Sequence, residues 1–288
     1  MSYLDPDRTR LAVLGSPIAH SLSPTLHAAA YAVLGLPFRY GRHEVASGGL
    51  AAFVAGLDNE WRGLSLTMPL KREVLPLLDR TTPLVDELGV ANTVAFRRSG
   101  DRVLRYGANT DVEGLVRPVE ALGHVPGEAT VLGGGATAAS ALTAAVRLGA
   151  SLVRVFLRDT GRAGDLVDLA VRLGVTLEVL PLTELAGTRH GFVVSTLPGG
   201  AADALDLGPS GQDAVLFDVA YEPWPTAVAS RWVDDGGRVL NGLDMLAEQA
   251  IGQIRFFLTG DQDELLPDEA AVRRAMRTSV GLPPTVLS

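Results

Sequence analysis

The chain has 288 residues, enough for one large domain or two of ordinary size, and its 47% hydrophobic and 20% charged residues suit a globular protein with a sizeable core. A net charge near −8 argues against non-specific nucleic-acid binding, and the absence of cysteine excludes disulfides, thiolate metal sites and cysteine nucleophiles. Five histidines (His20, His27, His43, His124 and His190) show no metal-ligand spacing, so no metal is expected.

Along the chain, short apolar runs alternate with helical stretches. Met1 to Arg10 is polar and acidic, unlike a signal peptide. A strand at Leu11 to Leu14 leads through Gly15-Ser16-Pro17-Ile18-Ala19-His20-Ser21-Leu22-Ser23-Pro24 into a helix ending near Leu34. Ser23 reads as its N-cap and Pro24 as its first residue; two serine hydroxyls beside free helix N–H groups would also seat a carboxylate. Phe38 to Glu44 precedes a helix near Gly49 to Leu57, and Gly63 to Leu66 precedes a helix that starts at Pro69.

That third strand end carries Thr67 and Lys71. Of 25 basic residues only Lys71 is a lysine, leaving 24 arginines. Lysine supplies a compact ammonium whose proton can be given up, which arginine does not. A hairpin follows, Thr93 to Arg97 and Val103 to Tyr106 around Ser99-Gly100-Asp101. Asn92-Thr93 stands at its start and Asn109-Thr110-Asp111 at its end, the latter equally a helix N-cap. Together these polar strand ends suit a polyhydroxylated, anionic small molecule.

After a helix at Val112 to Leu122 the alternation becomes stricter: Thr130 to Leu132, Ala136 to Leu148, Val153 to Leu157, Arg162 to Leu173, then strands near Leu177, Phe192, Val215 and Arg238. Such alternation means parallel sheets with crossover helices. Ala129 to Val146 is uncharged, but its triple glycine and Ala/Thr content read as strand, loop and helix rather than a membrane span. Gly133-Gly134-Gly135-Ala136-Thr137-Ala138 fits the glycine pattern that lets a dinucleotide pyrophosphate approach a helix N-terminus. About 20 residues on, Arg158 and Arg162 favour the 2′-phosphate of NADP, while Asp159 favours the ribose hydroxyls of NAD. Helices from Leu243 to Leu258 and Asp268 to Arg277 close the chain.

These motifs, in this order and with Asp218-Val219-Ala220-Tyr221-Glu222-Pro223-Trp224-Pro225-Thr226 and Gly242-Leu243-Asp244-Met245-Leu246-Ala247-Glu248-Gln249-Ala250, resemble the shikimate dehydrogenase family across nearly the whole chain. The resemblance implies a two-domain α/β protein: residues 1–109 and 243–288 as a substrate domain, and residues 110–242 as a Rossmann-type, doubly wound NADP-binding domain. It implies reversible NADPH-dependent reduction of 3-dehydroshikimate to shikimate and is compatible with a homodimer; a cytoplasmic, reduced setting is the default expectation from the composition and the polar start of the chain. It implies Lys71 and Asp111 as the catalytic pair, with Ser21 and Ser23 on the substrate carboxylate. It implies that Thr67, Asn92, Asp111, Tyr221 and Gln249 hold the ring hydroxyls, Thr67 alternatively serving the carboxylate end. Gly133, Gly134, Gly135, Ala136 and Thr137 receive the pyrophosphate, Arg158 and Arg162 the 2′-phosphate, Thr196 and Gly242 also bind the cofactor, and Met245 lies near the nicotinamide. Leu157 and Asp159 depart from the common Asn-Arg-Thr, and Ser195 stands where many relatives have Asn. An NAD-preferring quinate/shikimate dehydrogenase and a non-catalytic dinucleotide sensor are the alternatives.

Overall fold

A computed structural model describes residues 8–99 and 102–285. In these the chain divides into two compact units, one comprising the residues up to Asp111 with Ala247–Thr285, the other running from Val112 to Leu246. The residues 1–7 of the signal-peptide reading, and Gly100 and Asp101 of the hairpin turn, lie outside the described residues.

The first unit contains β1 (Arg10–Gly15), α1 (Ser23–Leu34), β2 (Arg39–Glu44), α2 (Leu50–Ala55), β3 (Trp61–Leu66), α3 (Leu70–Glu73), β4 (Arg80–Thr81), α4 (Pro83–Leu88), β5 (Thr93–Ser99) and β6 (Arg102–Ala108). Its sheet runs in the order β2-β1-β3-β5-β6-β4. β1 and β3 are parallel and almost wholly buried, β1 as an apolar run and β3 with Arg62 and Ser65 buried beside its apolar residues; β2, polar and largely exposed, is an edge. Leu14, Leu50, Trp61, Leu64, Leu66, Leu70 and Val94 form its core. The helix expected from Pro69 is a single turn, Leu70–Glu73, followed by a 3-10 turn at Leu75–Leu77. Pro76 explains the break, since proline offers no N–H to continue an α-helix.

α5 (Asp111–Ala121) leads into the second unit: β7 (Glu128–Leu132), α6 (Ala136–Arg147), β8 (Leu152–Leu157), α7 (Gly164–Leu173), β9 (Thr176–Pro181), β10 (Thr188–His190), β11 (Phe192–Ser195), β12 (Leu207–Pro209), β13 (Val215–Asp218), α8 (Ala227–Asp234) and β14 (Arg238–Asn241). Its main sheet is parallel throughout, in the order β14-β13-β11-β7-β8-β9, two wings spreading from β7 as in a doubly wound dinucleotide fold. α9 (Gly242–Thr259) and α10 (Glu269–Ser279) complete the chain, and α10 packs on α1. Among the described residues no helix is long and apolar enough to cross a membrane.

Candidate active site

In the first unit, topology gathers the polar strand ends. Leu14 pairs with Leu66 across parallel β1 and β3, Ser65 with Thr93 across antiparallel β3 and β5, and Thr93 with Ala108 across β5 and β6. The chain therefore leaves β1 and β3, enters β5 and leaves β6 at one end of the sheet. Gly15, Thr67, Asn92 and Asn109 all stand there.

Lys71 and Asp111 meet in this group. Nζ lies 2.6 Å from Asp111 Oδ2, with the residues 8% and 0% exposed. The other carboxylate oxygen accepts from Asn92 Nδ2 at 2.8 Å, and the same amide nitrogen reaches Gln249 Oε1 at 2.9 Å. Asn92 Oδ1 accepts from the Thr110 N–H at 2.9 Å and from Thr93 Oγ1 at 2.8 Å. Asn109 closes an Asx turn onto the first residue of α5: its Oδ1 accepts the Asp111 N–H at 3.0 Å, and its amide donates to the Val90 carbonyl at 3.2 Å. That bond uses the Asp111 backbone and leaves its carboxylate to Lys71. Lys71, Asp111, Asn92 and Gln249 thus form one bonded cluster.

Ser21 and Thr67 lie on the neighbouring loops, and Ser23 begins α1. The Ser16 N–H donates to the Met68 carbonyl at 3.0 Å, tying the β1 and β3 exits together. A Cβ on Gly15 would stand 2.3 Å from Thr67 Cγ2, so this approach demands glycine. From β2, Arg42 Nη1 donates to the carbonyls of Ala19 and Ser21, and Glu44 accepts from Ser16 Oγ at 2.9 Å. The expected N-cap at Ser23 is corrected. Leu22 occupies that position without a side-chain cap, and Ser23 is the first helical residue. The Ser21 hydroxyl instead accepts the Ser23 N–H at 3.4 Å, because only a residue before the helix has a side chain that can fold back over its amides.

The second unit carries the glycine turn. Gly133 has φ 109°, and a Cβ there would meet Thr196 Oγ1 at 2.5 Å; a Cβ on Gly134 would meet Leu157 Cδ2 at 2.8 Å. Around Gly135 there is open space, and α6, which starts with Ala136 and Thr137, has no side-chain cap. An open, uncapped helix start behind glycines fits the pyrophosphate of a dinucleotide. Thr196 donates its hydroxyl and N–H to the Leu132 carbonyl, which places it against the turn. Arg158 and Arg162 are exposed beyond the end of β8. Asp159 Oδ1 accepts the Gly161 N–H at 3.1 Å, so this acid closes its own 3-10 turn, Thr160–Arg162. Tyr221 is half-buried, and burial, then the charge of Glu222, pushes its phenol up. Gly242 donates its N–H to the Ala220 carbonyl at 3.1 Å, and a Cβ there would stand 2.1 Å from the Val219 carbonyl oxygen. Met245 is buried.

Sequence reasoning did not single out Arg42 or Glu44, which hold the serine loop, nor Asp218 as more than part of a motif. The partners of Arg42 and Glu44 are 21 to 28 residues away, and those of Asp218 are 2 and 8 residues away across a loop with no regular spacing to signal them.

A family profile described as the shikimate dehydrogenase substrate binding domain matches residues 13–94. The NADP(+) shikimate dehydrogenase of Geobacter metallireducens is 34% identical over 253 residues, 83% of this chain and 87% of that protein. Among solved structures, Mycobacterium tuberculosis shikimate dehydrogenase is 38% identical with TM-score 0.77, covering 94% of this chain and 99% of that one. The Thermus thermophilus shikimate 5-dehydrogenase, solved in complex with NADP(H) and shikimate, is 31% identical with TM-score 0.76, covering 94% of this chain and 99% of that one.

Proposed function

We infer the function from one premise: the chain belongs to the shikimate dehydrogenase family. It is an NADP-dependent oxidoreductase that reversibly reduces 3-dehydroshikimate to shikimate on the route to chorismate and the aromatic amino acids. The observation that carries the reading is the buried Lys71–Asp111 pair at 2.6 Å, at the same sheet end as the serine loop.

The roles of individual residues are part of our proposal. The nicotinamide cofactor, when bound, supplies or accepts the hydride. Lys71 stabilises the negative charge that develops on the carbonyl oxygen of the substrate and donates the proton; in the oxidative direction its amine takes that proton back. Asp111 orients the ammonium through Oδ2, and Asn92 fixes the carboxylate through Oδ1. Ser21 and Ser23 seat the substrate carboxylate, supported by the hydroxyl and amides gathered at the start of α1. Thr67, Asn92, Tyr221 and Gln249 hold ring hydroxyls. The turn at Gly133 to Thr137 with Thr196 cradles the pyrophosphate, Gly242 and Met245 border the nicotinamide, and Arg158 and Arg162 take the 2′-phosphate. In this reading residues 1–109 and 243–288 form the substrate domain and residues 110–242 the cofactor domain. A cytoplasmic setting is part of the same reading. A homodimer is compatible with it.

Asp159 favours the NAD-linked alternative by its charge, but its carboxylate is engaged with its own backbone. Initial rates with shikimate and quinate, each with NADP and NAD, test the reading. We expect kcat/KM for shikimate with NADP to exceed every other pair by about tenfold or more. Quinate with NAD as the best pair would replace the biosynthetic assignment by the catabolic one. Arg158→Ala is expected to weaken NADPH about tenfold and NADH little, the loss of one charge-assisted contact. Equal loss for both denies Arg158 the 2′-phosphate.

A further inference from the structure

The Asp218–Thr226 motif carries Tyr221, yet its first and last residues have no part in the site described above. Asp218 ends β13 and is 2% exposed. Its Oδ2 accepts from Thr226 Oγ1 at 2.8 Å and its Oδ1 from the Ala220 N–H at 3.2 Å. One carboxylate therefore joins the two ends of the loop 219–225. Thr226 is held in turn, because its hydroxyl accepts the Ala229 N–H at 3.3 Å as the N-cap of α8. Asp203 Oδ1 accepts the Ala227 N–H at 2.9 Å, a second anchor at the same helix start.

The loop is also confined along its length. The Ala220 carbonyl accepts from Gly242, where the absence of a Cβ lets the backbones touch. A Cβ on Gly199 would lie 2.9 Å from the Glu222 carbonyl oxygen, so a second backbone closes on the loop there. Ser195 stands beside Asp218 in the ladder of β11 and β13. Its buried hydroxyl lies near enough to favour the carboxylate without completing a hydrogen bond of good geometry. Closed at its base and pressed from two sides, the loop has few ways to place Tyr221.

We propose that Asp218, bonded to Thr226, is a positioning residue that presets the Tyr221 loop for substrate binding; this rests on the reading of Tyr221 as a substrate-binding residue. A carboxylate suits the task because it accepts at both oxygens, whereas an asparagine in the same place accepts at one and turns a donor toward the other partner. Burial pushes the Asp218 carboxyl up against the opposing hydrogen bonds from Thr226 and Ala220, so a carboxyl placed there costs stability. An apolar or neutral residue would finish a buried strand without that cost, which is why we assign the charge to the loop and not to the fold.

The test is a double-mutant cycle read in shikimate KM and kcat, with NADPH affinity by fluorescence as control. Asp218→Asn is expected to raise KM for shikimate about five- to tenfold, the size of a lost hydrogen bond, with kcat and NADPH affinity within about twofold. In a Tyr221→Phe background the same substitution is expected to add little, because both changes act on one contact. Thr226→Ser should retain wild-type KM and Thr226→Val should mimic Asp218→Asn; this pair completes the cycle if Asp218→Asn does not fold. Additive effects on KM, or an equal loss of NADPH and shikimate binding, overturn the positioning role alone. If Tyr221→Phe leaves KM unchanged, the substrate-binding reading of Tyr221 falls first and the proposal with it.

Discussion

Lys71 and Asp111 are both buried, and neither has lost its partner to solvent. Two charges withdrawn from water cost stability that their attraction need not return, so a buried pair is poor evidence of a structural device and better evidence of chemistry. Asn92 and Asn109 add the second layer, fixing the carboxylate and the backbone that carries it. From this geometry Lys71→Ala is expected to lower kcat by about 10²–10⁴-fold with little change in KM, the usual worth of positioned proton transfer. Lys71→Arg is expected to fail similarly, since a guanidinium is bulkier and barely deprotonates. Steady-state rates on the purified variants decide it, and near-normal turnover of Lys71→Ala would remove the amine from the mechanism. Lys71 was legible because it broke a pattern of arginines. Asp111 was legible only as a member of a motif with two readings; its N–H goes to Asn109 while its carboxylate meets Lys71 and Asn92.

At the scale of elements, close approach determines which residues are tolerated. α9 lies against β3 where Gly63 stands: a Cβ there would be 2.5 Å from Phe257 Cε1 and 2.6 Å from the Val94 carbonyl oxygen. Gly63→Ala is therefore expected to destabilise the protein by about 1–3 kcal/mol, the usual cost of overpacking, measured as a lowered urea midpoint. Unchanged stability would mean that α9 yields readily at this crossing. The strand pattern showed Gly63 only as the start of β3. Its contact with Phe257 joins segments far apart in sequence, and periodicity carries no such information. The one-turn α3 and the unforeseen α4 and α8 have a related cause. Short helices are held by packing and caps such as Thr226, and their intrinsic propensity is too weak to mark them.

Across the whole molecule, each unit buries a neutral histidine. In the first, His27 is fully buried, stacked on Tyr40 at 3.8 Å, with Nδ1 3.0 Å from the Tyr31 hydroxyl and Nε2 3.2 Å from Gln253 Oε1. An acceptor at Nε2 assigns the proton to that nitrogen and leaves Nδ1 to accept from Tyr31. Burial lowers the His27 pKa to about 3 and the His190 pKa to about 4. Below about pH 6.5 the unfolded chain therefore takes up protons that the folded units refuse, and stability falls as pH drops toward 3–4. His27→Gln is expected to flatten that slope in urea unfolding followed between pH 7 and 4; an unaltered slope would show that His27 does not set it. By itself the sequence determined the two α/β series, the glycine turn, the strand-end polar residues and the family, because these depend on local periodicity and on short ordered motifs. Only tertiary structure decided that β1, β3, β5 and β6 bring those residues to one sheet end, that Ser21 and not Ser23 covers the start of α1, and that Asp218 closes the loop of Tyr221. The first joins segments distant in the chain, and the other two, 2 and 8 residues apart, depend on the exact path of the backbone, which strand order and packing set rather than any residue's own preference.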